Sequence, residues 1–362
     1  MRRYCREKDL LRTPRRTLIS SFLGEKLLFT TPLLKWYIEH GLIISKIYQV
    51  IEYKPSKCFR KFGQIITKAR RNGDINPDST ILSTSCKLVQ NSSYGKFLSK
   101  ISSYQDVFYV EDSSKLINNR RFKSQTPITN KLTEVNLAKD KLYWKVPIQI
   151  GFFILQYAKL RMLEFYYDCL MKYISKKNIE LIEIDTDSLY LSISRSDIRN
   201  IIEDKKGFYE TYHTFFPSKA CDIHQKDFIK TMIENGDWIM KPCCVNRFNY
   251  DNRTPGLFKL EYSGDNMIAL GSKDYLCYDT KDSVDSNLKA ASKGLSKTLN
   301  EISSKRYLNV LKRKHHGSGI NRGFCVRGVK VFTYEQSRNG LSYLYIKRKV
   351  NEDGITTKPL TI

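Results

Sequence analysis

Two carboxylates two residues apart, Asp185 and Asp187, stand in the run Glu180 to Ser194, ELIEIDTDSLYLSIS. Ile182 and Ile184 alternate with charged residues before them, and Leu189, Leu191 and Ile193 alternate with Tyr190 and Ser192 after them. A period of two on both sides of Asp185-Thr186-Asp187-Ser188 predicts a β-hairpin with the acids at its bend. Carboxylates held so close repel one another, and a hard cation relieves the repulsion. Mg²⁺ takes one or two carboxylates together with substrate phosphates, and in two-metal sites it serves the attacking and leaving oxygens of an in-line displacement. A solvated Asp-rich hairpin turn fits the same four residues.

The second chemically suggestive stretch is Thr80 to Lys100, TILSTSCKLVQNSSYGKFLSK. Read as a helix, it puts Lys87, Asn91 and Tyr94 at i, i+4 and i+7 on one face, with Leu82, Cys86, Val89 and Ser93 on the other. The ammonium can meet triphosphate charge, the phenol can pack beside a base pair, and Gly95 lets backbone approach closely. An amphipathic helix with ordinary polar residues is the alternative.

These stretches belong to a chain of 362 residues, enough for two or three subdomains. Lys plus Arg number 62 against 37 acidic residues, a net +25, with 12% aromatics. That balance favours a polyanionic partner, nucleic acid ahead of membrane. The longest apolar run, Pro147 to Leu155, is too short to span a bilayer. Nine cysteines without a C-x-x-C pair favour free thiols in a reducing compartment over a disulfide framework or a zinc site, and the adjacent Cys243 and Cys244 look poorly spaced to share one metal. The Arg-rich N-terminus has the look of a transit peptide, but Glu7 and Asp9 argue against it and for an arbitrary or truncated start. Nucleus or cytoplasm is the expected location, with the mitochondrion as the alternative.

Several elements must position the two stretches. Pro32 opens a helix with Leu33, Leu34, Tyr37 and Ile38 on its apolar face, and Gly41 stops it. Ile43 to Tyr53 reads as a strand. Ser56 can cap a helix to Asn72 that buries Phe59, Phe62, Ile66 and Ala69, ends at Gly73 and carries Lys68, Arg70 and Arg71 at its tail. Ile101 to Lys145 shows only short alternating segments. Pro147 opens a long helix with Leu155, Ala158, Met162, Phe165 and Cys169 on its inner face, leading directly into the acidic hairpin. Pro255 to Thr280 returns to strands broken at Gly264 and Gly271. A helix is expected through Leu295, Leu299 and Ile302, then strands around Val329 and Tyr343. Helices layered on antiparallel sheet make the expected class α/β in the α+β sense.

Taken together and in order, Lys87-Leu-Val-Gln-Asn91-Ser-Ser-Tyr94-Gly95 resembles the K-x3-N-S-x-Y-G fingers motif of family B DNA polymerases, and Asp185-Thr186-Asp187-Ser188 resembles their D-T-D-S palm motif. Lys273-Asp-Tyr275 is similar to the K-x-Y motif with which protein-primed members hold the primer strand. The resemblance runs from about Lys26 to the C-terminus. It is nearest to the organellar and viral branch, as in self-synthesising DNA transposons and their viral relatives. It implies an incomplete right-hand fold: an irregular basic N-terminus over 1–25, partial palm over 26–52, fingers over 53–100, palm with an insertion over 101–288, and a thumb-like region over 289–362. It implies template-directed DNA synthesis with two Mg²⁺ ions. Asp187 and Asp185 would be the catalytic, metal-binding pair, and Lys87, Asn91, Tyr94 and Gly95 would meet the nucleotide, with Arg70 and Arg71 ranked lower. Lys259, Lys273 and Tyr275 would line the primer backbone. Primer–template DNA and deoxynucleoside triphosphates are the implied partners, with a priming protein as a further candidate and no membrane. Two departures stand out. Glu183-Ile184 replaces the tyrosine-glycine pair usual before the first aspartate. The first palm motif, an aspartate followed by Ser-Leu-Tyr-Pro, and the exonuclease domain are both missing from the sequence. Asp9, Glu25 and Glu39 are the acids available in its place. The chain is therefore expected to be the C-terminal part of a polymerase, weak or inactive unless a separate polypeptide supplies that motif. The alternative is a catalytically inactive DNA-binding remnant.

Overall fold

The computed structural model describes residues 26–143, 145–234, 236–271, 273–281, 283–313, 316–327, 329–341, 348–350 and 357–359. Helix α1 (Thr31–Glu39) begins at its proline, and Gly41 leaves it in the left-handed region at φ +93°. Helices α2 (Arg60–Ile75) and α3 (Thr80–Phe97) form an antiparallel pair joined by the single turn Pro77–Ser79. The Phe59 and Phe97 rings meet at 5.8 Å at one end, and the Ser83 hydroxyl donates to the Arg70 carbonyl at 3.4 Å near the other. Helix α2 does not stop at Gly73. A Cβ there would collide with the Ser83 side chain, so the glycine serves the close approach of the two helices. Nor does Ser56 cap it, since Phe59 holds the N-cap position.

Strands β1 (Gln105–Val110), β2 (Phe122–Thr129) and β3 (Leu132–Ala138) make an antiparallel sheet in the order β1-β3-β2, with Val135 and Leu137 of the central strand buried. Helix α4 (Ile148–Leu163) continues through a π-helical stretch, Glu164–Leu170, into a last turn at Met171–Tyr173. Met162, Phe165 and Cys169 are buried as their spacing predicts, and Leu155 and Ala158 are half-buried. The acidic hairpin follows as β4 (Ile179–Asp185) and β5 (Ser188–Ile193). Three short helices come next, α5 (Lys205–Tyr212), α6 (Gln225–Ile233) and α7 (Pro242–Asp251). The antiparallel strands β6 (Asn266–Gly271), β7 (Asp274–Lys281) and β8 (Val284–Ser292) lead to α8 (Ser304–Arg313), to the long hairpin β9 (Gly317–Arg327) and β10 (Lys330–Leu341), and to the short pair β11 (Arg348–Val350) and β12 (Thr357–Pro359).

Three expectations are overturned. Ile43 to Tyr53 is not a strand: it pairs with no ladder, and Ile43 is 89% exposed. Alternation alone cannot make a strand where no neighbouring backbone supplies hydrogen bonds. Residues 255–261 are likewise outside the sheet, which starts at Asn266. Leu295 and Leu299 precede the helix rather than forming it. Leu295 is instead a buried plug against the sheet, and the helical period belongs to Tyr307, Val310 and Leu311 of α8. The strand expected at Tyr343 and the basic stretch 1–25, with Asp9 and Glu25, lie outside the described residues.

The chain divides into two compact units. One joins residues 26–99 to 145–261; the other joins 100–143 to the described residues from 262 on. In the first, the core surrounds the π-helical stretch: Phe165, Cys169, Leu170, Tyr173 and Ile174 pack with Ile179, Ile201, Ile202, Phe208, Tyr209 and Phe215, and β5 adds Leu189 and Leu191. In the second, Ile268, Leu270 and Leu276 of the sheet pack on Leu295, Leu341 and α8. The class is mixed α and β with antiparallel sheets. Among the described residues no helix is long and apolar enough to cross a membrane.

Candidate functional site

The acidic turn is built as its sequence predicts. Asp185 pairs with Ser188 across the hairpin, so Thr186 and Asp187 are the two loop residues. Thr186 sits at φ +53°, an uncommon conformation for a β-branched residue that a two-residue hairpin loop demands. The Asp187 N–H donates to the Asp185 carbonyl at 2.6 Å and the Ser188 hydroxyl to the same oxygen at 3.2 Å. These bonds fix the backbone between the two acids. The Asp185 side chain is half-buried and that of Asp187 is exposed at the tip. Backbone strain at such a turn is a resource found at ligand-binding sites.

The faces of β4 are not those the alternation suggests. The ladder shifts register between Leu181 and Glu183, a bulge at Ile182. Past it, Glu183 points inward at 8% exposure while Ile182 and Ile184 face out at 39% and 50%. The alternation of faces runs unbroken through the bulge, with residues 179, 181, 183 and 185 turned inward and 180, 182 and 184 exposed. The hairpin therefore carries three carboxylates within five residues, at 183, 185 and 187, and an apolar strip on its outer side. It forms a two-stranded sheet among the described residues.

On α3, Lys87 and Asn91 are exposed and Tyr94 is half-buried, on one helical face as expected. A Cβ at Gly95 would meet nothing within 4 Å, so the backbone there is open to approach. The opposite face differs from expectation: Leu82 and Val89 are exposed at 57% and 50%, and only Cys86 and Ser93 are half-buried. On α2, Ile66 is the buried residue; Phe62 and Ala69 are half-buried and Phe59 is exposed.

The arginines at the α2 tail have structural partners. Arg71 stacks its guanidinium 3.6 Å from the Tyr250 ring and donates to the Tyr250 carbonyl at 3.1 Å and the Thr254 hydroxyl at 3.2 Å. Arg253 grips Asp74 with two nitrogens, Nε at 2.6 Å. That hydrogen-bonded guanidinium outweighs partial burial and, with the charges of Arg70 and Lys259, holds the Asp74 carboxyl below the ordinary carboxylate range. Burial and the charge of Arg253 lower Arg70 from its ordinary value, with Asp74 opposing. Arg71 is thus committed to joining α2 to α7, while Arg70 and Lys259 contribute to a cationic surface around Asp74.

Lys273 and Tyr275 lie in the other unit. Lys273 occupies the tight β6–β7 turn at φ +62°, and Tyr275 is buried at the start of β7. Glu39 ends α1 next to His40. The structure thus joins Asp185 to Asp187, aligns Lys87, Asn91 and Tyr94, and groups Arg70 with Lys259.

The cysteines give the clearest departure from the sequence reading. Cys221, His224, Cys243 and Cys244 bring their ligand atoms within 4.8 Å of one another. The adjacent pair is not badly spaced, because both residues lie in the first turn of α7 and converge on the turn before α6. The signal available in the sequence was the Cys221-x-x-His224 spacing. Comparisons of the chain with family models, curated proteins and solved structures return no match.

Proposed function

We propose that this chain is the fingers- and palm-bearing part of a family B DNA polymerase of a right-hand fold, which adds deoxynucleotides to a primer 3′ end. The observation that carries the reading is the acidic turn: a helix feeds a hairpin that presents Asp185 at its strand end and Asp187 in its two-residue loop, and a helix pair earlier in the same unit presents Lys87, Asn91 and Tyr94 on one face. Oxygen donors alone, at a strand end, fit Mg²⁺. Bound there, Mg²⁺ would supply charge neutralisation at the reacting phosphate and lower the pKa of the primer hydroxyl. The chain's own groups do the positioning. Lys87 meets triphosphate charge, Tyr94 packs beside the nascent pair, and the open backbone at Gly95 admits it closely. Lys259 and Arg70 supply a sequence-blind hold on the DNA backbone, and Lys273 offers a further phosphate contact on its own unit.

The hairpin joins no third strand among the described residues, and Ile182 and Ile184 are exposed on its face. The aspartate-Ser-Leu-Tyr-Pro motif that the sequence lacks is the segment we assign to that place. A second reading is DNA binding without synthesis, which the net charge of +25 would itself support. Nucleotide incorporation on a primed template separates them. The purified chain should extend feebly or not at all, and adding a polypeptide that bears the missing motif should restore Mg²⁺-dependent synthesis. Asp187→Ala should abolish what is restored, since units that act together lose orders of magnitude when one member goes. Restoration that never occurs, with primer–template affinity that still falls steeply with salt, would favour the remnant. Salt-insensitive affinity would refute both.

A further inference from the structure

Four soft or borderline ligand atoms converge in the insertion that follows the hairpin. Cys221 Sγ lies 3.1 Å from His224 Nδ1, 3.6 Å from Cys243 Sγ and 3.8 Å from Cys244 Sγ, and Cys243 and Cys244 Sγ each lie 3.5 Å from the same imidazole nitrogen. A tetrahedral zinc ion, with Zn–S of about 2.3 Å and Zn–N of about 2.0–2.1 Å, requires S–S edges of about 3.8 Å and S–N edges of about 3.6 Å. The two S–S separations and the two S–N separations of 3.5 Å match those edges, and the Cys221–His224 pair is about 0.5 Å shorter. They are too small to surround a multi-iron cluster and too large for a disulfide, whose sulfurs bond at about 2.05 Å.

We propose that Cys221, His224, Cys243 and Cys244 form a closed, structural Zn²⁺ site. Three thiols and one imidazole fill the four positions, leaving none for a substrate. Binding displaces the three thiol protons to solvent and leaves a net charge of −1 on the ion and its ligands, with His224 neutral. The surroundings suit that charge. Cys243 and Cys244 lie in the first turn of α7, where backbone N–H groups and the helix dipole favour thiolates. The Cys221 N–H points at Cys244 Sγ at 3.5 Å, the kind of donor that orients a bound thiolate. Cys244 is fully buried, and Cys221 and His224 are half-buried.

The site would have a defined task. It closes the chain between Cys221 and Cys243, a segment that contains α6 and returns at Trp238, whose indole N–H donates to the Lys219 carbonyl at 2.7 Å. The ion anchors the start of α7. The far end of α7 holds the tail of α2 through Tyr250 on Arg71 and, just beyond, through Arg253 on Asp74. Zinc would therefore set where the α2–α3 pair is held, independently of whether the acidic turn catalyses anything.

The test uses the whole chain, expressed with zinc and dialysed against a mild chelator. Elemental analysis should find about one equivalent of zinc. Replacement by Co²⁺ should give the intense visible bands and thiolate charge-transfer absorption of a tetrahedral site with three sulfur ligands and one nitrogen. Thiol alkylation should spare Cys221, Cys243 and Cys244 while Cys58 and Cys86 react, and a strong chelator should release the metal, expose those three thiols and lower Tm. Cys244→Ser should lose the cobalt spectrum and Cys86→Ser should keep it. Because the alkylation pattern is read on the unmutated chain, a misfolded variant leaves the test intact. Zinc removed by mild dialysis with no change in Tm would overturn the proposal, as would a Cys221 disulfide to Cys243 or Cys244 in the freshly purified protein.

Discussion

Asp168, in the π-helical stretch that precedes the acidic hairpin, receives two donors from α1, and removing it should weaken that helix in a pH-dependent way. Its carboxylate accepts the Trp36 indole N–H at 2.8 Å and bonds His40 Nε2 at 2.7 Å, while His40 stacks on Trp36 at 3.8 Å and its Nδ1 lies 2.7 Å from the Trp36 carbonyl. In Asp168→Ala the indole N–H, on a residue 8% exposed, loses its acceptor, which costs about 1–2 kcal/mol. The His40 ion pair is 33% and 42% exposed on its two sides, so solvent screening leaves it about 0.5–1 kcal/mol. Burial alone would lower His40, but the Trp36 carbonyl and the Asp168 carboxylate, helped by Glu39, outweigh it and raise the imidazole above its ordinary value. A raised folded value means that the ion-pair share is fully present below the unfolded pKa of about 6.5 and fades as pH rises through the folded value. The total loss should then be about 1.5–3 kcal/mol near pH 6 and about 1–2 kcal/mol well above neutrality. Urea unfolding at both pH values, followed by Trp36 emission in a chain with Trp144 and Trp238 replaced by Phe, measures it. The imidazolium stacked on the indole quenches that emission, so the same protein also reports the His40 titration. A loss that is equal at both pH values would refute the assigned role of His40, and a loss below about 0.5 kcal/mol would refute the whole account.

Arg253→Ala should cost about 0.5–1 kcal/mol, because the Asp74 carboxylate it grips is 39% exposed. Asp74 has a lowered folded value, so the pair contributes above the unfolded carboxylate pKa and is lost as pH falls; the variant's acid unfolding should begin at a higher pH than that of the unmutated chain. Phe208→Ala should be far more damaging, about 3–5 kcal/mol by urea unfolding, since the ring is 1% exposed and packs on Tyr173, Tyr209 and Tyr212. A cost under about 1 kcal/mol would show that the core can close over the gap.

What could be read in the sequence was whatever local chemistry decides. The bend at Asp185-Thr186-Asp187-Ser188 follows from two alternating runs and a turn between them, and α3 follows from its spacing, because neither depends on a distant partner to take shape. Wherever a remote partner decides, the reading failed. Ile43 to Tyr53 has strand-like alternation but no ladder to join, and Leu295 obeys the sheet it plugs rather than the helix pattern it seemed to start. Cys221 and His224 meet Cys243 and Cys244 only because the chain between them folds back on itself, so counting C-x-x-C pairs could not find them. The faces of β4 are the most consequential failure, for Glu183 and not its isoleucine neighbours lies on the inward side just before the acids. A strand with Glu183 inside and Ile182 and Ile184 outside is the wrong way round for a hairpin that ends at solvent. It is the right way round for one covered on its outer side, with a carboxylate kept close to the pair at the turn.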